Sequence, residues 1–356
     1  MQTENKEIDF RNKTIYAGID VHKTKWVVTL RMEHLELKTF SMEPSVEGLV
    51  GHLKKRYPGA SYSSVYEAGQ SGFWIDRQLK RLGVANMIVN PADIPTTGRE
   101  KDKKNDYRDS RKLARELENH TMRGIYVPCE SQEALRSLCR IRSQFVGEKA
   151  RLKNRIKCFL AYYGKPFPGK NTRQWSERLL TTVGEIRYPS SISNECMGLY
   201  LDQIVLLQQK VKAIEQMIKE KAEELGVLRT VERLQTIPGI GFVSAITIYT
   251  ELSDITRFQK LDQLCSYIGL VPSTSSSGEK ERVKGISLRQ KKYLKSIIIE
   301  ASWMALRKDP ALTLSYSHLL SRMQSQKAII KIAKKVLNRI RYVWIHDTDY
   351  QLSVVR

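Results

Sequence analysis

Residues 14–30 read TIYAGIDVHKTKWVVTL. Ile15–Ile19 and Trp26–Leu30 are apolar runs rich in β-branched residues, and the polar stretch between them is short enough for a hairpin turn. Working outward, Ser64–Tyr66 in SVYEAG and Met87–Val89 read as further buried strands, with helical patterns over 45–56 and 71–82. Strands alternating with helices from residue 14 to about 125 predict an α/β layer on a central sheet.

Beyond residue 130 the strand patterns stop. A long helix is expected over Gln132–Tyr162. In 204–225 a second helix carries Ile204, Leu207, Val211, Ile214, Ile218 and Leu225 at heptad-like spacing, with Lys221 the one polar residue on the seam. YYGKPFPGKNTRQW (162–175) lies between them, and its Gly and Pro residues break helices. Such a pattern fits an antiparallel coiled-coil arm or two helices of an ordinary bundle. From residue 229 come LQTIPGIGFVSAITIYTEL, a serine-rich loop and two helical stretches to about 345. The expected class is α/β plus α, in three parts: 1–125, a helical middle over 126–228, and a mainly helical 229–356.

Of the 356 residues, 41% are hydrophobic, enough for a substantial core. Lys+Arg number 60 against 38 Asp+Glu, a net charge of +22 that makes nucleic acid the default partner. Between Arg257 and Arg341 there are 18 Lys/Arg and 5 Asp/Glu, so the cationic surface is concentrated late in the chain. No stretch approaches the ~18 apolar residues of a membrane span. The N-terminal MQTENKEIDFRNKT has no apolar core of a secretion signal. Five scattered cysteines argue against zinc or a disulfide framework. A cytosolic, soluble protein is expected.

Asp20 ends the first strand, Glu67 ends a later one, and Asp106 and Asp109 lie three apart on a predicted helix, hence on one face. One aspartate after a strand is usually a turn or cap residue. Four carboxylates in this arrangement suit a pair of hard divalent cations such as magnesium, which stabilise attacking and leaving oxygens in phosphoryl transfer. Asp102 reads as a loop charge and His22 as a solvated turn residue.

Pro238, Gly239 and Gly241 form a helix-hairpin-helix-like segment in which small residues let backbone N–H groups approach a phosphate, or a plain connection between helices. Ser277-Gly278, followed by Lys280, Arg282 and Lys284, reads either as a flexible surface loop or as a nucleophile in a phosphate-binding loop; no histidine stands nearby to activate the serine. In Lys327–Arg341, Ile329, Ile332, Val336 and Ile340 share one face. Lys327, Lys331, Lys334, Lys335, Arg339 and Arg341 cover much of the rest, a cationic side for phosphates. Arg140–Lys157 is a second basic stripe or a solvated charged face.

GIDVHK, YEAG, KKNDYRDSRKLA, RLKNRIK, IPGIG, RFQKLDQLCSYIGLVPS and SSGEKERVKGIS follow one another in this order. Together they resemble DEDD-type insertion-sequence transposases, over roughly residues 14–345. The resemblance implies an RNase H-like (RuvC-like) N-terminal domain and a C-terminal serine domain. Asp20, Glu67, Asp106 and Asp109 match the four metal-binding acids, with two magnesium ions expected. Ser277 matches the serine that forms a covalent phosphoserine link to DNA, with Ser275 and Ser276 as neighbouring competitors. The resemblance further implies excision and insertion of an element, DNA sites chosen by pairing with a structured bridge RNA, and a dimer or tetramer joined through coiled coils in a bacterial or archaeal nucleoid. Asn105 and Ser110 stand where the family usually has Thr and Ala, and SLRQKKYLK stands where it tends to have Gly-Asn. The rival reading is a RuvC-like junction resolvase with water as nucleophile. A third is a non-catalytic nucleic-acid-binding protein.

Overall fold

The computed structural model describes residues 9–95, 105–169, 175–277, 280–286 and 291–352, with 272–286 described by backbone course alone. The chain divides into two compact units, Met1–Val127 and Pro128–Arg356.

In the first unit, β1 (Thr14–Val21), β2 (Trp26–Met32), β3 (Leu35–Met42), β4 (Ser61–Glu67) and β5 (Ala85–Val89) form one sheet in the order β3-β2-β1-β4-β5. β1 runs antiparallel to β2 and parallel to β4, which runs parallel to β5. The predicted hairpin is present, and this mixed sheet fits the RNase H-like expectation. β3 was not foreseen. It is an edge strand, exposed or half-exposed along its whole length, so LELKTFSM carries no apolar run to announce it.

Side-chain alternation along the strands gives the sheet two faces. Ile15, Ala17 and Ile19 join Leu49 and Leu53 of α1 (Val46–Arg56) and Ile75 and Leu79 of α2 (Trp74–Arg81) in one core cluster. Gly48 and Gly51 cost α1 about 1 kcal/mol each in helix propensity. Burial of Val46, Leu49, Val50 and Leu53, at roughly 1.5–3 kcal/mol per large side chain, outweighs that cost, so packing holds this helix. Val65 and Val89 face the other way, onto Leu113 and Leu117 of α3 (Asp106–Glu118).

Gly18 decides how closely α3 lies on β1. A Cβ there would fall 2.2 Å from the Ser110 carbonyl oxygen and 2.3 Å from the Ala114 nitrogen, closer than any side chain tolerates. The helix is therefore seated on bare backbone, two residues before Asp20.

The second unit is helical: α4 (Glu130–Tyr162), α5 (Glu177–Gly184), α6 (Ser191–Glu224), α7 (Leu228–Gln235), α8 (Phe242–Leu252), α9 (Leu261–Ile268), α10 (Lys292–Ala305), α11 (Pro310–Leu320) and α12 (Ser325–His346). A two-stranded antiparallel ribbon, β6 (Pro272–Ser277) and β7 (Lys280–Ile286), interrupts them. The serine-rich stretch, expected as a loop, is thus paired backbone. α4 and α6 lie antiparallel, tied by Arg142–Glu215 at 2.7 Å and by Tyr163 Oη to Ser193 Oγ at 2.9 Å. At their root Leu135, Cys139, Ile214, Ile218 and Ala222 belong to one core with the C-terminal helices. At the far end Leu152, Ile156, Leu160, Met197, Ile204 and Trp175 form a separate cluster. The seam differs from expectation at its end. Ala222 continues it, whereas Lys221 points outward to pair with Glu224 and Leu225 is exposed. α6 also begins well before residue 204, at Ser191, where Ser190 caps it.

Candidate active site

β1 and β4 pair in parallel through Ile19↔Tyr66, so Asp20 and Glu67 come one step later at the carboxyl edge of neighbouring strands. Alternation puts both on the face that carries Gly18 and α3. Asn105 caps α3, its Oδ1 accepting from the Tyr107 N–H at 3.0 Å, which starts the helix at Asp106 and sets Asp106 and Asp109 in its first turn. Ser110 Oγ bonds Thr29 Oγ1 at 2.9 Å in the interior and so anchors the next turn to β2. The two departures beside the aspartates, Asn105 and Ser110, therefore each have a structural task.

One ligand atom from each of Asp20, His22 and Asp106 lies within 4.8 Å of the others. His22 Nε2 is 3.1 Å from Asp20 Oδ2 and 3.6 Å from Asp106 Oδ1, and Lys25 Nζ is 3.3 Å from Asp106 Oδ2. The His22 N–H to Lys25 carbonyl bond closes the β1–β2 turn, so one short turn delivers both side chains. Burial raises the Asp20 carboxyl above its ordinary range, His22 opposes this, and the charges of Asp106 and Asp109 push it further up. The Lys25 donor, with help from His22, holds Asp106 below the usual carboxylate range. A half-buried carboxylate crowded by two others favours a cation, and oxygen donors of this kind fit a hard divalent metal.

Asp20 and Asp106 thus converge, and Asp109 is near enough to act on Asp20 by charge. Glu67 is exposed at the same sheet edge and its carboxylate is outside the 4.8 Å group. His22 and Lys25 were set aside or unremarked from sequence. Both lie in the turn between β1 and β2, where strand alternation marks no face. Asp102 lies outside the described residues.

Two family models match the chain: a DEDD transposase of IS110 type over residues 17–164, and the IS116/IS110/IS902 transposase family over 231–317. The first spans all four acids. The chain belongs to the IS110/IS116 family of DEDD transposases. It is 26% identical over 271 residues to the transposase for insertion sequence element IS1111A of Coxiella burnetii, covering 75% of this chain and 73% of that protein. It is also 28% identical over 294 residues to the y4qE protein of Sinorhizobium fredii, which carries a transposase name, covering 81% and 71%. The transposase for element IS1533 of Leptospira borgpetersenii is 26% identical over 259 residues, covering 69% and 72%. The chain is a DNA transposase, and membership does not favour the resolvase reading.

In this transposase Ser277 closes β6 in register with Lys280, while Arg282 and Lys284 pair with Ser275 and Ser273. Gly278 lies outside the described residues. Gly239, at φ +88°, packs against α10: a Cβ there would sit 2.3 Å from the Ala301 carbonyl oxygen. Helix packing alone thus requires a glycine here. Gly241, at the start of α8, has open space around it. On α12, Lys327, Lys331 and Lys335 are exposed at four-residue spacing and Lys334 is half-buried. Arg339 and Arg341 are corrections to the cationic face. Arg339 donates to Tyr350 Oη at 2.7 Å and lies 3.4 Å from the buried Asp309, and Arg341 donates to the Phe258 and Gln259 carbonyls. The basic stripe of α4 divides likewise. Arg140 forks onto buried Glu251 at 2.7 and 2.9 Å and Arg142 holds Glu215, whereas Arg151 and Arg155 are exposed. No helix among the described residues is long and apolar enough to cross a membrane.

Proposed function

We propose that Asp20, Glu67, Asp106 and Asp109 hold two magnesium ions against a DNA phosphate and that Ser277 is the nucleophile that attacks it. The convergence of Asp20, His22 and Asp106 at the carboxyl edge of the sheet carries this reading. Bound ions would polarise the phosphoryl oxygens and stabilise charge on the attacking and leaving oxygens. Asp20 and Asp106 anchor the site, His22 bridges them, and Lys25 keeps Asp106 ionised. Ser277 Oγ bonds to phosphorus, the P–O bond to the departing strand breaks, and that strand leaves as a hydroxyl carrying the serine's proton. The phosphoserine ester retains the bond energy, so attack by a strand hydroxyl rejoins DNA without an external energy source.

Lys280, Arg282, Lys284, Gly239, Gly241, Lys327, Lys331, Lys334 and Lys335 track nucleic-acid phosphates in this reading. The net charge supports it, and a structured guide RNA that selects the DNA sites rests on the family resemblance. The active form is a dimer or tetramer through a coiled coil of the long helices. Ile192, Leu199 and Leu206 support that, since they lie seven apart on α6 with 68%, 69% and 48% of their surface exposed, an apolar line available to another helix. The enzyme works in the cytoplasm at the nucleoid.

The test is a covalent-adduct trap. The chain is expressed with its flanking non-coding DNA and a target plasmid, the lysate is denatured, and DNA attached to protein is measured. Wild type should retain DNA, Ser277→Ala should lose the adduct, and Asp20→Ala or Glu67→Ala should lose cleavage while still binding DNA. An adduct persisting in Ser277→Ala moves the nucleophile to Ser275 or Ser276. Magnesium-dependent nicking with no adduct in any variant refutes the serine mechanism.

A further inference from the structure

A cleft of about 400 Å³ opens beside the acids, lined by His22, Lys23, Gln70, Ser71, Trp74 and Ile75 among others. That volume falls in the range of small-molecule sites. We propose that it is a nucleobase pocket, in which Trp74 stacks an unpaired base of the DNA strand whose phosphate lies at Asp20 and Asp106. The inference rests on the reading of those acids as the phosphate site.

Three observations carry it. Trp74 leaves half of its surface exposed, at the first position of α2, where helix formation alone asks for no aromatic residue. Behind it stands fully buried Trp26, ring centroids 6.4 Å apart and planes tilted by 39°, so one indole is backed by the core while its surface stays open. Second, Gln70 and Ser71 make no side-chain hydrogen bond among the described residues. Their amide and hydroxyl offer both donors and acceptors, as a base edge requires. Third, His22 belongs to both places: it lines the cleft and bonds Asp20 at 3.1 Å. A nucleotide joins base and phosphate through one sugar, and a cleft adjoining the acids through a single side chain matches that span. Lys23 at the rim adds a positive charge for the backbone. A base inside a duplex has both faces covered by its stacked neighbours, so the occupant is unstacked from its duplex or single-stranded.

The experiment uses the full chain and a thymidine octamer with 2-aminopurine at its centre, whose emission falls when the base is stacked. Wild type should quench the probe on binding. Trp74→Ala should abolish the quench and weaken binding about 5- to 150-fold, the range that one base–aromatic stack is worth. Trp74→Phe, which keeps an aromatic face, should restore most of both. Because Trp74 is exposed, neither variant threatens the core, and equal melting temperatures would verify it. Undiminished quenching by Trp74→Ala overturns the pocket. Stronger quenching with the RNA octamer than with the DNA octamer overturns its assignment to the DNA strand. Asp20→Asn, read for both quench and strand cleavage, separates the two readings: the quench retained with cleavage lost supports both, and the quench retained with wild-type cleavage leaves the pocket standing while removing the acids as the phosphate site.

Discussion

Gly18→Ala tests how the acids are brought together. A methyl at this position would meet the Ser110 carbonyl oxygen at 2.2 Å and the Ala114 nitrogen at 2.3 Å. Comfortable van der Waals contact needs about 3.5 Å, so α3 must retreat by about 1 Å. Both opposing atoms are backbone, so no side chain can swing aside. Overpacking of this kind costs typically 1–3 kcal/mol, and an unyielding backbone puts the value near the top, about 3 kcal/mol. Asp106 and Asp109 travel with the helix while Asp20 stays on the strand. A misplacement of about 1 Å at a reacting centre can lower rates roughly 100-fold. Amide hydrogen exchange on the full chain is the suitable assay, because two compact units need not unfold as one. Peptides from β1 and α3 should exchange about 100-fold faster than in wild type, with α12 unaffected, and strand cleavage should fall about 100-fold. Gly51→Ala is the control: a Cβ there meets nothing within 4 Å, so the change should stabilise α1 by up to about 1 kcal/mol. Wild-type exchange in α3 together with wild-type cleavage would refute the claim that Gly18 seats the helix.

Replacing Lys327, Lys331 and Lys335 together by Gln should weaken DNA binding for all sequences alike and reduce the slope of log affinity against log salt by roughly 2.7, at about 0.9 per phosphate contact; an unaltered slope would turn this face away from nucleic acid. Burial pushes the Cys139 thiol up to about 11, against hydroxyl donors from Thr250 and Thr247. The folded state therefore disfavours the thiolate. Its contribution is intact below pH 9 and is lost between pH 9 and about 11, some 2–3 kcal/mol in all at 1.36 kcal/mol per pH unit. Denaturant unfolding across that window should show the loss in wild type, and Cys139→Ser, which cannot form a thiolate, should lack it. Cys129 is exposed and its thiol is held below the usual range by Ser131, so iodoacetamide at pH 8 should modify Cys129 first; prior labelling of Cys139 would overturn the assigned burial.

The parts of the fold with a strong hydrophobic signal were readable in the chain. The β1–β2 hairpin shows as two apolar runs, and α4 begins at Glu130, near the expected Gln132. β3 was hidden because an exposed edge strand needs no apolar face. The end of the α6 seam was misread because heptad counting ranks large side chains. It passes over Ala222, whose small size lets the helices close. At the site, Asp20, Asp106 and Asp109 were marked by strand end and helix spacing. His22 was lost because a lone histidine in a turn carries no pattern, and only the hairpin closure to Lys25 aims it at Asp106. The arginines of α12 show the converse limit: Arg339 and Arg341 look the same as the lysines in sequence, yet they hold Asp309, Tyr350 and the Phe258–Gln259 turn.

The separate packing at the two ends of the α4–α6 pair has a mechanical consequence. A helix of 33 residues is about 50 Å long. Its root is gripped by the C-terminal core, while its tip is stiffened independently by Trp175 and by contacts of Phe159 with Tyr163, Tyr188 and Tyr200. Two stiff helices clamped at one end and braced at the other form a beam. A tilt of about 10° at the root sweeps the tip through about 9 Å over that length. Small repacking around Leu135, Cys139 and Ile218 would thus become a large displacement at the far end, so core substitutions at the root are the place to alter reach without touching the tip.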